Sequence, residues 1–234
     1  CVSAGCQNSN IQQGTESMKR SYTPPFKNAN VSYSANKVTK TLSVPVINDD
    51  FQFGTGMTDP IWKKAAVAED FEPYARKVLE KPSKMACFRT DKALVIGFFF
   101  EEVPANIVRQ QNLKASVWSG DMAEIHFGAM EPDPWLMQLG LGINGARFDS
   151  TGYFDRWKAK VFTTDKGWGA ELMIDNSALR LTEGGFRFNL CRQSVKRKEL
   201  SCWSPLRRRF HEVENFGELL FCDYKTAFSM RSSC

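Results

Sequence analysis

Ala86-Cys87-Phe88-Arg89-Thr90-Asp91-Lys92-Ala93-Leu94-Val95-Ile96-Gly97-Phe98-Phe99-Phe100 decides the fold class. Two apolar runs rich in β-branched and aromatic residues flank the pair Asp91-Lys92, a hairpin signal weaker than Asp-Gly but of the same kind. The second run is short and continuously apolar. It predicts a buried strand and falls well below the length needed to span a bilayer. Working outward, the same pattern predicts strands over residues 123–129, 135–143, 157–163, 167–174, 186–193, 199–203 and 219–224. Turn signals separate them at Glu131-Pro132-Asp133-Pro134, Asn144-Gly145, Asp165-Lys166-Gly167 and Glu183-Gly184-Gly185. Asp59-Pro60-Ile61-Trp62 predicts a capped helical turn that packs Trp62 inward, and Asp175-Asn176-Ser177-Ala178-Leu179 a second capped turn. Many short strands, no long helical pattern and no βαβ alternation define an all-β chain: an antiparallel, jelly-roll-like β-sandwich with short helical turns.

The chain of 234 residues is 42% hydrophobic and 24% charged, which predicts a folded core. Residues 1–40 are rich in Ser, Asn, Gln, Thr and Lys and lack periodic apolar residues. This composition predicts a flexible tether, with the sandwich over residues 41–234. The net charge of +5 comes mostly from Lys196-Arg197-Lys198 and Arg207-Arg208-Arg209. No nucleic-acid-binding motif accompanies either run, so both are read as solvated loops and no nucleic-acid partner is expected.

None of the seven cysteines has zinc-site spacing. Cys191 and Cys202 flank a predicted hairpin. They either face each other across strands, within reach of a disulfide, or are two small buried residues. Cys1 followed by a polar stretch looks like a bacterial lipoprotein after signal-peptide removal, with diacylglycerol on the sulfur. The expectation is an exported protein of the cell envelope, or a secreted one, touching membrane only through that anchor.

Val117-Trp118-Ser119-Gly120-Asp121-Met122-Ala123-Glu124-Ile125-His126-Phe127 carries the chemistry. A turn presents an indole, and a strand follows in which apolar residues alternate with a carboxylate and a histidine. An exposed indole stacks on the apolar face of a pyranose, and a nearby carboxylate accepts from its hydroxyls. The alternative is a core tryptophan ahead of an ordinary half-buried strand.

Several segments in order, spanning residues 42–224, resemble the family 9 carbohydrate-binding modules and their relatives. They are Asn48-Asp49-Asp50 with Asp59-Pro60-Ile61-Trp62; Asp91-Lys92-Ala93-Leu94-Val95 leading to Glu101-Glu102; Trp118 to Ile125; and Asn144-Gly145-Ala146-Arg147-Phe148-Asp149. Later come Gly167-Trp168-Gly169-Ala170-Glu171, Phe188-Asn189-Leu190-Cys191-Arg192, Ser201-Cys202-Trp203-Ser204-Pro205 and Phe216-Gly217-Glu218-Leu219. The resemblance implies a β-sandwich that grips a saccharide end between two aromatic rings without breaking a bond. In it Trp118 is the first stacking ring, Glu124 the hydroxyl acceptor and Phe210 the second ring. The family's sugar binders carry an arginine and an asparagine about where this chain has Gly140 and Gly142. Arg192, Arg207 or Arg209 are the candidate replacement donors, suited to an acidic or sulfated glycan. The resemblance also implies a structural calcium, for which Asp49, Asp50 and Asp121 are the candidates, although turn and capping roles suit them equally. The expected partners are a polysaccharide or oligosaccharide and the glycoside hydrolases that degrade it.

Other chemistry has weaker warrants. Glycosidase action needs two carboxylates at a fixed separation, and Asp121 with Glu124, or Glu101-Glu102, read as surface residues. A haem sandwich would use His126 with Met122, Met130 or Met137, though methionine is a general gap filler. An envelope interaction module that has lost sugar binding is the remaining alternative.

Overall fold

The computed structural model describes residues 40–74, 79–130, 135–179, 184–207 and 209–221. The proposed tether with Cys1, and the predicted residues 222–224 of the last strand, lie outside the described residues.

Among these, the strands are β1 (Thr41–Val44), β2 (Ala66–Ala68), β3 (Glu72–Pro73), β4 (Ser83–Arg89), β5 (Ala93–Glu101), β6 (Met122–Gly128) and β7 (Leu136–Gly142). They continue with β8 (Arg147–Asp149), β9 (Trp157–Thr164), β10 (Gly167–Asp175), β11 (Gly185–Ser194), β12 (Glu199–Cys202) and β13 (Gly217–Phe221). The helical elements among the described residues are all short 3-10 segments of three to five residues. The larger sheet runs β1-β13-β11-β6-β7-β8, with β12 beside the C-terminal half of β11 and β3 beyond it. The smaller sheet runs β2-β4-β5-β10-β9. All pairings are antiparallel except β1 with β13. The molecule is a β-sandwich, as the hairpin and turn spacing predict.

Each strand sorts its side chains by the two-residue period of an extended chain. On β5, Leu94, Ile96, Phe98 and Phe100 face inward; on β6, Ala123, Ile125 and Phe127; on β11, Phe186, Phe188 and Leu190. Together with Trp168 of β10 they form the core between the sheets, where Phe98 and Phe100 stack on each other and both meet the Trp168 indole edge-on. Val95 and Phe88 face the other way, under Ile61 and Trp62 of the 3-10 turn after Asp59. Asp59 caps that turn, its carboxylate accepting from the Ile61 N–H at 2.9 Å. The turn at Asp175 is not capped in this way. Asn176 instead donates to the carbonyls of Thr90 and Asp91, pinning the turn to the β4–β5 hairpin.

The Asn144-Gly145 turn forms as predicted, with Gly145 in the left-handed region at φ 89° and its N–H on the Gly142 carbonyl. Short β1, β2, β3 and β8 are not among the predicted strands, because two to four residues cannot establish a period.

Asp121 and Glu124 are buried rather than surface carboxylates, and two further sequence expectations change. Glu102 is 2% exposed rather than a surface carboxylate, and it accepts from Arg192 at 3.2 Å and Arg197 at 2.7 Å. Arg197, read as part of a solvated run, therefore pins the β11–β12 loop to the end of β5 and also pairs with Glu80. Burial alone raises the Glu102 pKa, but the Arg197 side chain, the Val103 N–H and the Asn106 amide outweigh it, and the net pKa is lowered. A carboxylate with a lowered folded-state pKa contributes stability above its unfolded pKa and loses it as pH falls through the folded value. Glu102→Gln should therefore cost about 3–5 kcal/mol near neutral pH, because Arg192 is left buried and unpaired. That deficit should shrink as pH falls below the ordinary glutamate range, which urea denaturation of both proteins across pH will show.

Candidate saccharide-binding groove

Glu124 and His126 of β6, Gln138 and Gly140 of β7, and Asn189 and Cys191 of β11 all point to the outer face of the larger sheet, away from the core. The pairing sets them in rows: Cys191, Glu124 and Gly140 in one, Asn189, His126 and Gln138 in the next. Cys202 of β12 continues the first row beside Cys191. Both cysteines are buried free thiols, so of the two sequence readings the structure shows small buried residues that also face each other. The segment between β12 and β13 folds over them, packing Leu206 and Phe216 on the pair. Asn189 holds this segment by exchanging two 2.9 Å hydrogen bonds with the Ser204 backbone. Buried Glu212 gathers the N–H groups of Arg207 and Arg209, which fixes the course of the chain into Phe210 and His211.

On the other side, a 3-10 turn over Val117–Ser119 lifts Trp118 to the surface, where its ring is 40% exposed. Its indole N–H donates to Glu124 at 2.8 Å, and Phe148 braces the ring edge-to-face at 4.8 Å between centroids. Gln138 donates to the second oxygen of Glu124 at 2.8 Å. Glu124 is 5% exposed. Burial raises its pKa, but His126, Trp118 and Gln138 together outweigh that, so it is held below the usual range and ionised. Burial and neighbouring His126 lower the pKa of His211, keeping it neutral near pH 7.

Between the two walls lies an open groove of about 500 Å³. Trp118 and Glu124 lie on one side and Phe210 and Arg209 on the other, with Tyr74 meeting Phe210 edge-to-face. The structure thus brings Trp118, Glu124 and Phe210 together. Arg192 falls elsewhere. It is 1% exposed, faces the core over Phe100, and its guanidinium is committed to Glu102 and the Glu101 carbonyl, so it is an inter-sheet tie rather than a groove donor.

The space above Gly140 and Gly142 is filled. A Cβ on Gly140 would meet Phe148 and Val117 at 3.1 Å, and one on Gly142 would meet the Gln110 amide at 2.6 Å. Gln110 is 4% exposed and donates to the carbonyls of Val117 and Asp121, so it locks the turn that carries Trp118. Its role carries no local sequence signal, because its partners come from segments brought together only by the fold.

The calcium candidates do not assemble. Asp49 is exposed and paired with Lys64, and Asp50 is exposed in the same loop. Asp121 is buried, accepting from the Val195 N–H at 2.8 Å. Among the described residues their carboxylates share no common point, so this donor set does not fit calcium. The haem candidates separate too: Met137 lies in the core on the opposite face from His126, and Met122 packs against Val117 and Ala146.

No protein-family model and no curated protein matches the sequence. Solved structures do match in three dimensions. A family 9 carbohydrate-binding module of Caldicellulosiruptor kristjanssonii in complex with cellotriose aligns at TM-score 0.59 and 15% identity, over 78% of this chain and 93% of that one. The glucose complex aligns at 0.60 and 14%, over 78% and 95%. The fold is that of the family 9 carbohydrate-binding modules. A Bacteroides uniformis protein named as a candidate carbohydrate-binding protein aligns with this chain at TM-score 0.54 and 17% identity, over 78% of this chain and 99% of that one.

Replacing Gln110 with Leu should leave the buried Val117 carbonyl without its donor, at about 1–3 kcal/mol, and the Asp121 carbonyl with the Ile143 N–H alone. It should also loosen the Trp118 turn. Chemical denaturation will give the loss, and a red shift of native tryptophan emission will report the loosened ring.

Proposed function

We propose that this protein is a non-catalytic saccharide-binding module whose ligand lies in the groove between Trp118 and Phe210. The observation that carries the proposal is Trp118. A large aromatic ring stands 40% exposed while its N–H is fixed by a buried carboxylate, so its orientation is set before any ligand arrives. Stacking on a preset ring avoids the entropy of ordering it. The shared fold adds weight, since the similar modules are named for their complexes with cellotriose and glucose.

Glu124 acts first as the positioner of the indole and offers its remaining lone pairs to hydroxyls. Gln138 and Arg209 stand beside it as donors. Glu124 is the one carboxylate lining the groove among the described residues. Glycoside hydrolysis requires a pair, so binding without cleavage suits the geometry. In this reading the module holds polysaccharide at the cell envelope for partner glycoside hydrolases, with residues 1–40 as the tether.

A second reading is an envelope interaction module that no longer binds sugar. Phe148 and Gln110, filling the space over Gly140 and Gly142, favour it.

Calorimetry against neutral and uronic oligosaccharides, with and without calcium, separates the two. Saccharide binding should weaken by roughly thirtyfold or more in Trp118→Ala, the loss expected of a hot-spot aromatic, and by less in Phe210→Ala. Affinity unchanged in Trp118→Ala removes the groove reading, and a blank across all glycans favours the interaction module.

A further inference from the structure

Stacking a sugar on Trp118 and Phe210 makes no use of the two histidines beneath the groove. They are the only histidines in the chain. Ligand atoms of Glu124, His126 and His211 lie within 4.8 Å of one another, a convergence of β6 with the β12–β13 connection. The imidazole rings sit 5.4 Å apart between centroids. His126 is fully buried. Its Nε2 lies 3.3 Å from the Glu124 carboxylate yet makes no hydrogen bond. Nε2 of His211 is also buried and has no hydrogen-bond partner. Buried polar atoms are rarely left unpaired, and two such nitrogens in residues clustered with one carboxylate call for a shared partner.

We propose that Glu124, His126 and His211 bind a divalent transition-metal ion of the zinc class. Two imidazoles and one carboxylate form a mixed nitrogen and oxygen set. Such a set suits Zn²⁺ and its neighbours, whereas Ca²⁺ and Mg²⁺ take all-oxygen shells. Tetrahedral zinc with bonds near 2.1 Å needs ligand atoms about 3.4 Å apart, so the cluster must contract by about an ångström. Rotation of the His211 side chain supplies that movement, while Glu124 and His126 are fixed in register on β6. Outer partners are already in place. Trp118 and Gln138 orient the carboxylate, and the Cys191 sulfur lies 4.0 Å from Nδ1 of His126, leaving Nε2 for the ion. Three protein ligands leave a fourth position open, reached from the groove that Glu124 and His211 also line.

The site requires no saccharide, so it is tested without one, and its failure leaves the sugar-binding proposal standing. The full chain is stripped with chelator and treated with iodoacetamide to block reactive thiols. It is then titrated with Zn²⁺ by calorimetry and with Co²⁺ by absorption. The expected result is one ion per chain, a Co²⁺ spectrum without thiolate charge transfer, and a thermal midpoint raised by Zn²⁺ but not by Ca²⁺. His211→Ala, which removes a loop side chain, should unfold near the wild-type midpoint without metal and bind Zn²⁺ at least about tenfold more weakly. Glu124→Gln should weaken binding similarly. No uptake, a thiolate band, or affinity undiminished in both variants overturns the proposal.

Discussion

The pairing of β6 with β11 is the constraint on which the rest of the structure depends. Cys191 opposite Glu124 and Asn189 opposite His126 place these four side chains on one face. Phe127, Ile125, Phe188 and Leu190 are sent to the other face, where they build the core. A slip of one residue would turn Glu124 and His126 into the core and the phenylalanines outward, a change no local adjustment could absorb. Core and groove are therefore two faces of a single register.

Buried charge divides the molecule in the same way. Between the sheets, Arg192 and Glu102 tie β11 to the end of β5, each supplying the partner the other needs away from water. On the outer face, Glu124 plays the corresponding part for the groove, accepting from Trp118 and Gln138 at once. The segments that wall the groove are irregular, yet side-chain to backbone hydrogen bonds from Gln110, Asn189 and Glu212 fix their course. A groove walled this way is set in advance, so a ligand bound there would lose little energy to ordering it.

The sequence made the fold legible because its signals are local. The Asp91-Lys92 hairpin, the alternation along β6 and the Asn144-Gly145 turn each declare themselves within a few residues. Trp118, Glu124 and Phe210 were legible through the family resemblance, and they meet at one groove. What escaped depends on distant partners. Arg192 looked like a ligand donor because neither its inward facing nor its pairing with Glu102, ninety residues earlier, leaves a trace nearby. The placement of His211 beside His126 leaves no trace in the sequence around either residue. Gln110 is an ordinary amide in sequence and the keystone of the Trp118 turn in space.

The central claim is that the outer face of the larger sheet at Trp118 receives the ligand. Side-chain indole signals in a nitrogen-15 correlation spectrum test it most directly, followed during titration with a cello-oligosaccharide. The account predicts that the Trp118 indole signal moves, since its N–H is held by Glu124 at the groove. The signals of Trp168 and Trp203, 0% and 2% exposed, should stay fixed. Saccharide binding that leaves the Trp118 signal unmoved would contradict it.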